Sequence, residues 1–64
     1  MMTLEEARRL VEEIPQRPEN DPGDYYANKA AKSAAIEKLL QRDCDEMAQR
    51  FLLYEYELSR EVGD

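Results

Sequence analysis

Histidine is missing from this chain altogether, and cysteine occurs once, as Cys44. Without imidazole, neither a Ser-His nor a Cys-His nucleophile can be assembled. The usual Cys/His zinc sites are excluded with it, and a lone cysteine cannot close a disulfide within its own chain. No Gly-rich phosphate loop is present, and no apolar run approaches the length of a membrane span. The amino-terminal stretch MMTLEEARRL has no signal-peptide core. Val, Ile and Thr are scarce, whereas Ala, Leu, Glu, Arg and Lys abound, a balance that favours helix over sheet. Glycine and proline are absent from Tyr25 to Val62.

These absences leave a narrow range of functions. The chain has 64 residues, enough for one domain at most, and a domain of that size is marginally stable alone. With disulfides and zinc excluded, oligomerisation or very good helix packing must compensate. The net charge of −6 disfavours non-specific binding to nucleic acid or anionic lipid. The nine basic residues are scattered among acids and form no basic face. The expectation is therefore a soluble cytoplasmic protein with no cofactor, no metal, no membrane contact and no direct nucleic-acid binding; a single free thiol fits a reducing compartment.

The helical elements can be read from start and stop signals. Thr3 with Glu6 makes a capping box, and Leu4, Ala7, Leu10, Val11 and Ile14 recur at helical spacing. Pro15 ends the run, so a short helix is expected over about residues 4–14. Residues 15–24, PQRPENDPGD, form a stiff linker. Asp21 and Pro22 make a second start signal, cap followed by first helical residue, with Asp24 as the competing cap.

From residue 25 to 62 two readings compete. Ile36, Leu40, Cys44, Met47, Phe51, Tyr54, Leu58 and Val62 follow at steps of three or four, and from Leu40 to Leu58 they trace a heptad seam. A loop would normally disturb that phase, so the register favours one long helix of near 60 Å at roughly 1.5 Å per residue. The alternative is a bend near Asp43, where Asp43 and Glu46 offer a cap. The favoured fold is all-α, with a short helix, a Pro-rich turn and a long helix, paired antiparallel into a helical bundle by homodimerisation. The alternative is a monomeric three-helix bundle. All of residues 1–64 fall in a single helical domain either way.

Antiparallel contact between the two halves is expected on two grounds. Small residues (Ala27, Ala30, Ala31, Ala34) crowd the first half and large ones the second, and small against large fills space. Residues 25–42 carry a net +3, and residues 43–64 a net −5. Both grounds serve two chains or one folded back. In the homodimer reading, Leu40, Cys44, Met47, Phe51, Tyr54 and Leu58 are the self-association residues, and a short first helix cannot cover them all. A second apolar face of the long helix, with Ala27, Ala31, Ala34, Leu52 and Tyr56, lies well over 90° around at about 100° per residue, so one face can take the short helix and the other a second chain.

Catalysis is not expected. Cys44 lies between Asp43 and Asp45, which disfavour a thiolate, and reads as a small buried hydrophobe. A disulfide between the Cys44 residues of two crossing chains is the minor alternative. Residues 19–24 resemble a calcium loop only faintly. The expected function is binding of another protein, as adaptor, inhibitor or regulatory subunit, with Leu53, Tyr56, Glu12 and Glu13 as partner-binding candidates. Tyr54 and Tyr56 also fit as the amphipathic rim of an ordinary core. Two further readings are an acidic mimic of nucleic acid, which requires Glu5, Glu6, Glu12 and Glu13 to join Asp43, Asp45 and Glu46, and a purely structural self-assembling protein.

Overall fold

The computed structural model describes residues 1–60 and contains three helices: α1 (Leu4–Glu12), α2 (Pro22–Leu40) and α3 (Glu46–Arg60). Val62 and Gly63, the expected end of the long helix, lie outside the described residues. Among the described residues, no helix is long and apolar enough to cross a membrane.

Helix α1 begins where its cap predicts: the Thr3 Oγ1 accepts the Glu6 N–H at 3.2 Å. It buries Ala7 and Val11, half-buries Leu10, and ends two residues before the expected boundary, leaving Ile14 half-buried just beyond it. Helix α2 starts at Pro22 rather than Tyr25, with the Asp21 carboxylate accepting the Asp24 N–H at 3.1 Å. Pro22 at the first helical position costs no hydrogen bond, since that N–H would have no intrahelical partner.

The linker between them is fastened by one buried side chain. Asn28 Oδ1 accepts the Arg17 N–H at 2.9 Å, and its Nδ2 donates to the Arg17 carbonyl at 2.8 Å. The amide thus pairs with a linker residue much as a neighbouring strand would. Asp24 Oδ2 adds an acceptor for the Asn20 N–H at 3.0 Å. Replacing Asn28 with Ala leaves both Arg17 groups without this partner in a part-buried place, and is expected to cost about 1–3 kcal/mol. Chemical denaturation should show that loss, together with faster exchange of the Arg17 amide.

The single long helix is not what forms. The chain leaves α2 at Leu40, turns over residues 41–45, and returns as α3. The Lys29 Nζ donates to the Leu58 carbonyl at 3.2 Å and Lys32 stands 4.0 Å from Glu55, so α2 and α3 run antiparallel. The Cα extents of 38 × 23 × 14 Å leave no room for a straight helix of about 57 Å. The physical cause is a set of local and distant hydrogen bonds that a continuous helix cannot make. The Asp45 Oδ1 accepts the Ala48 N–H at 2.7 Å, capping α3 two residues later than an Asp43 cap would. Met2, from the start of the chain, then reaches the turn: its N–H donates to the Asp43 carbonyl (2.8 Å), and its carbonyl accepts the Asp45 N–H (2.9 Å). This short parallel bridge between Met2 and Cys44 is the extended pairing that fixes the corner. The apolar spacing runs through the corner in sequence, but the buried face does not: Leu40 and Cys44 pack on the core, whereas Met47, Tyr54 and Leu58 face outward.

The fold-back brings the basic first half against the acidic second half inside one chain. The core is small: Met2, Ala7, Val11, Ile36, Leu39, Ala48 and Leu52, with Leu10, Ile14, Leu40, Cys44, Phe51 and Tyr56 packed around it. Ile36 and Leu52 are its largest fully buried side chains. The three helices thus form a bundle within one chain, and no bare helix of about 60 Å is left that needs a neighbour to cover it.

Candidate protein-binding surface

Helix α3 contacts both α1 and α2 and buries Ala48, Leu52 and Ser59. At about 100° per residue, Met47, Phe51, Tyr54 and Leu58 fall within about 60° of one another, centred roughly 130° from Leu52. The bundle covers the Leu52 side of α3 and leaves this stripe largely outside. Met47 is 55% exposed, Tyr54 63% and Leu58 38%. Phe51, on the flank nearest the core, is half-buried.

The six expected self-association residues are therefore divided. Leu40, Cys44 and Phe51 are drawn onto the chain's own core, and the Cys44 Sγ donates to the Leu39 carbonyl at 3.5 Å. Met47, Tyr54 and Leu58 remain on the surface. The cause is the corner at residues 41–45, which lets α1 and α2 together enclose one side of α3.

The expected partner-binding residues are also spread apart. Leu53 is 46% exposed, and lies about 130° around α3 from the centre of the stripe. Tyr56 is half-buried against the core, with the Arg60 guanidinium 5.4 Å from its ring centroid, a cation–π contact. Glu12 and Glu13 are exposed at the end of α1, where Glu13 stands 3.8 Å from Arg9. Asp43 and Asp45 flank Met2 at the start of α1, the opposite end. Glu5 and Glu6, in the first turn of α1, stand at the same end as Asp43 and Asp45, so the acids of the mimic reading divide into two groups along α1.

One feature without a sequence signal is the aromatic corner where α2 begins. Tyr25 and Tyr26 meet edge to face with centroids 5.4 Å apart, both about half exposed, and the Lys29 Nζ lies 5.5 Å from the Tyr25 ring. Tyr25, Lys29, Lys32, Glu55, Leu58 and the buried Ser59 help to line a groove of about 330 Å³. Its two lysines are already engaged, Lys29 on a carbonyl and Lys32 on Glu55. A second groove, lined by Val11, Glu12, Ile14, Gln16, Lys32 and Glu55, continues it towards α1. Among the described residues, no three His, Cys, Asp or Glu side chains are grouped to hold a metal ion. No protein-family model, curated protein or solved structure matches the chain.

Proposed function

We propose that this chain is a non-catalytic, cytoplasmic helical protein that works by binding protein: it self-associates through the outer stripe of α3 and serves a second protein as adaptor, inhibitor or regulatory subunit. The observation that carries the reading is the exposure of Met47, Tyr54 and Leu58 on a single helix face. Scattered apolar residues on a surface need no explanation, but a contiguous patch marks an interaction site. Tyrosine and methionine are among the residues enriched at such sites. Leu53, on a different side of α3, is the best-placed of the expected contacts to a second protein; Tyr56 has part of its ring committed to the core.

Sedimentation equilibrium at rising concentration tests the self-association. The 7.5 kDa chain should approach twice its mass. Tyr54→Asp should keep the helical circular dichroism signal and shift the midpoint of association to at least tenfold higher concentration, in line with the loss of an interface anchor worth about 2 kcal/mol. Leu53→Ala should leave association intact and weaken capture of the second protein. A wild-type chain that stays monomeric, and captures nothing that a Tyr54→Asp or Leu53→Ala chain fails to capture, would overturn the reading.

A further inference from the structure

The open stripe of α3 has charged neighbours that specify how it is covered. We infer that its occupant is a second copy of this chain, laid α3 against α3 in antiparallel sense, with the two-fold axis passing between Phe51 and Tyr54. This rests on the self-association proposed above and adds the partner's orientation and register. Met47, Phe51, Tyr54 and Leu58 are spaced by steps of four, three and four, the a/d pattern of a helix seam. In the antiparallel register Phe51 faces the partner's Tyr54, and Met47 faces the partner's Leu58.

The two flanks of the seam differ. On one flank stand Ala48 and Glu55, both committed within the chain: Ala48 is fully buried, and Glu55 stands 4.0 Å from Lys32. On the other flank stand Arg50 and Glu57, both exposed. Seven residues apart, they differ by only about 20° around the helix. Arg50 makes a local contact with Glu46 at 2.8 Å, an exposed i,i+4 pair of small worth. Under a two-fold axis, any contact from Arg50 to the partner's Glu57 is repeated from Glu57 to the partner's Arg50. The antiparallel arrangement thus yields two ion pairs from one flank. A parallel arrangement sets Arg50 against the partner's Glu55 instead, a carboxylate 21% exposed and already 4.0 Å from Lys32, whereas Glu57 is exposed and makes no ion pair among the described residues. Charge complementarity therefore selects the antiparallel copy over the parallel one.

The stripe is short. Met47 to Leu58 spans roughly 17 Å of helix. A standard interface takes roughly 800 Å² from each partner, about a sixth of the 4776 Å² surface of this chain. The dimer therefore sits at the small end of the range and dissociates on dilution. In this register the two Cys44 residues lie more than about 20 Å apart along the axis. Oxidation should then leave the chains unlinked.

A charge-reversal cycle tests the register: Arg50→Glu, Glu57→Arg and the double variant, each checked for folding by circular dichroism and measured by sedimentation equilibrium. Each single variant should raise the dimer dissociation constant about tenfold, because two attractive pairs become two repulsive ones. The double variant should return to within about threefold of wild type, and 0.5 M salt should shrink the differences. If the double variant is as weak as the two single effects combined, or if Cys44 crosslinks the dimer on mild oxidation, the register is wrong although self-association stands. If the wild-type chain is folded and monomeric at every concentration, self-association fails along with the register, and the stripe belongs to a different protein.

Discussion

Leu52→Asp should abolish cooperative unfolding, whereas Tyr54→Asp, two residues on, should leave the chain folded. Leu52 is fully buried, and its neighbours in the core are all apolar: Met2, Ala7, Val11, Ile36, Leu39 and Ala48. Removing the leucine side chain alone costs about 2–5 kcal/mol. A carboxylate in its place adds the penalty of burying a charge without a partner, or of protonating it. A folded domain holds about 0.05–0.15 kcal/mol per residue, so 64 residues hold roughly 3–10 kcal/mol in all. The substitution therefore removes most or all of the stability. Tyr54, 63% exposed, gives up little packing within its own chain and should change stability by under about 0.5 kcal/mol. The contrast is measured by thermal and urea denaturation of the two variants side by side. A seam running through Phe51 and Tyr54 as the main core would reverse the order.

Met2→Ala is expected to cost nearly as much as a core truncation, although the residue lies one position from the amino terminus. Its side chain is 5% exposed in the core cluster. Its backbone makes the two hydrogen bonds, to Asp43 and Asp45, that hold the α2–α3 corner. Truncating a buried methionine costs about 2–5 kcal/mol. Loosening the terminus then weakens two hydrogen bonds worth about 1 kcal/mol each. The corner should loosen before the helices melt, so the Asp45 amide should lose its exchange protection at lower denaturant than the centre of α2. A Met2→Ala chain with wild-type stability and an unchanged Asp45 amide would show that the corner holds without this brace.

Much of the fold is legible in the residues, and the illegible parts share one physical origin. Thr3, Asp21 and Pro22 act through neighbours within three positions, and the ends of α1 and α2 where they stand are close to where their chemistry puts them. The antiparallel contact of a basic, small-residue half with an acidic, large-residue half is also readable, since it follows from composition alone. The corner at residues 41–45 is not. Asp45 caps locally, but Met2 completes the corner from more than forty residues away, and no periodicity encodes that pairing. An unbroken apolar phase can be kept by a five-residue turn as well as by a helix, so phase alone does not separate them. Asn28 is a similar case: an asparagine among alanines in a helix gives no hint that its amide meets Arg17. At the candidate site, Met47, Tyr54 and Leu58 stand out by spacing, but their separation from Leu40, Cys44 and Phe51 depends on which side of α3 the first two helices enclose.

The doubling back of α3 on α2 is the geometry on which the core, the exposed stripe and the proposed dimer all depend. Spin labels on Ala27 and Arg60, both exposed, measure it directly, with labelled chain diluted in unlabelled chain so that only pairs within one molecule report. Neighbouring antiparallel helices with axes 8–10 Å apart should give a distance of about 10–25 Å. A distance near 50 Å, the length of an uninterrupted helix between those positions at about 1.5 Å per residue, would contradict the account.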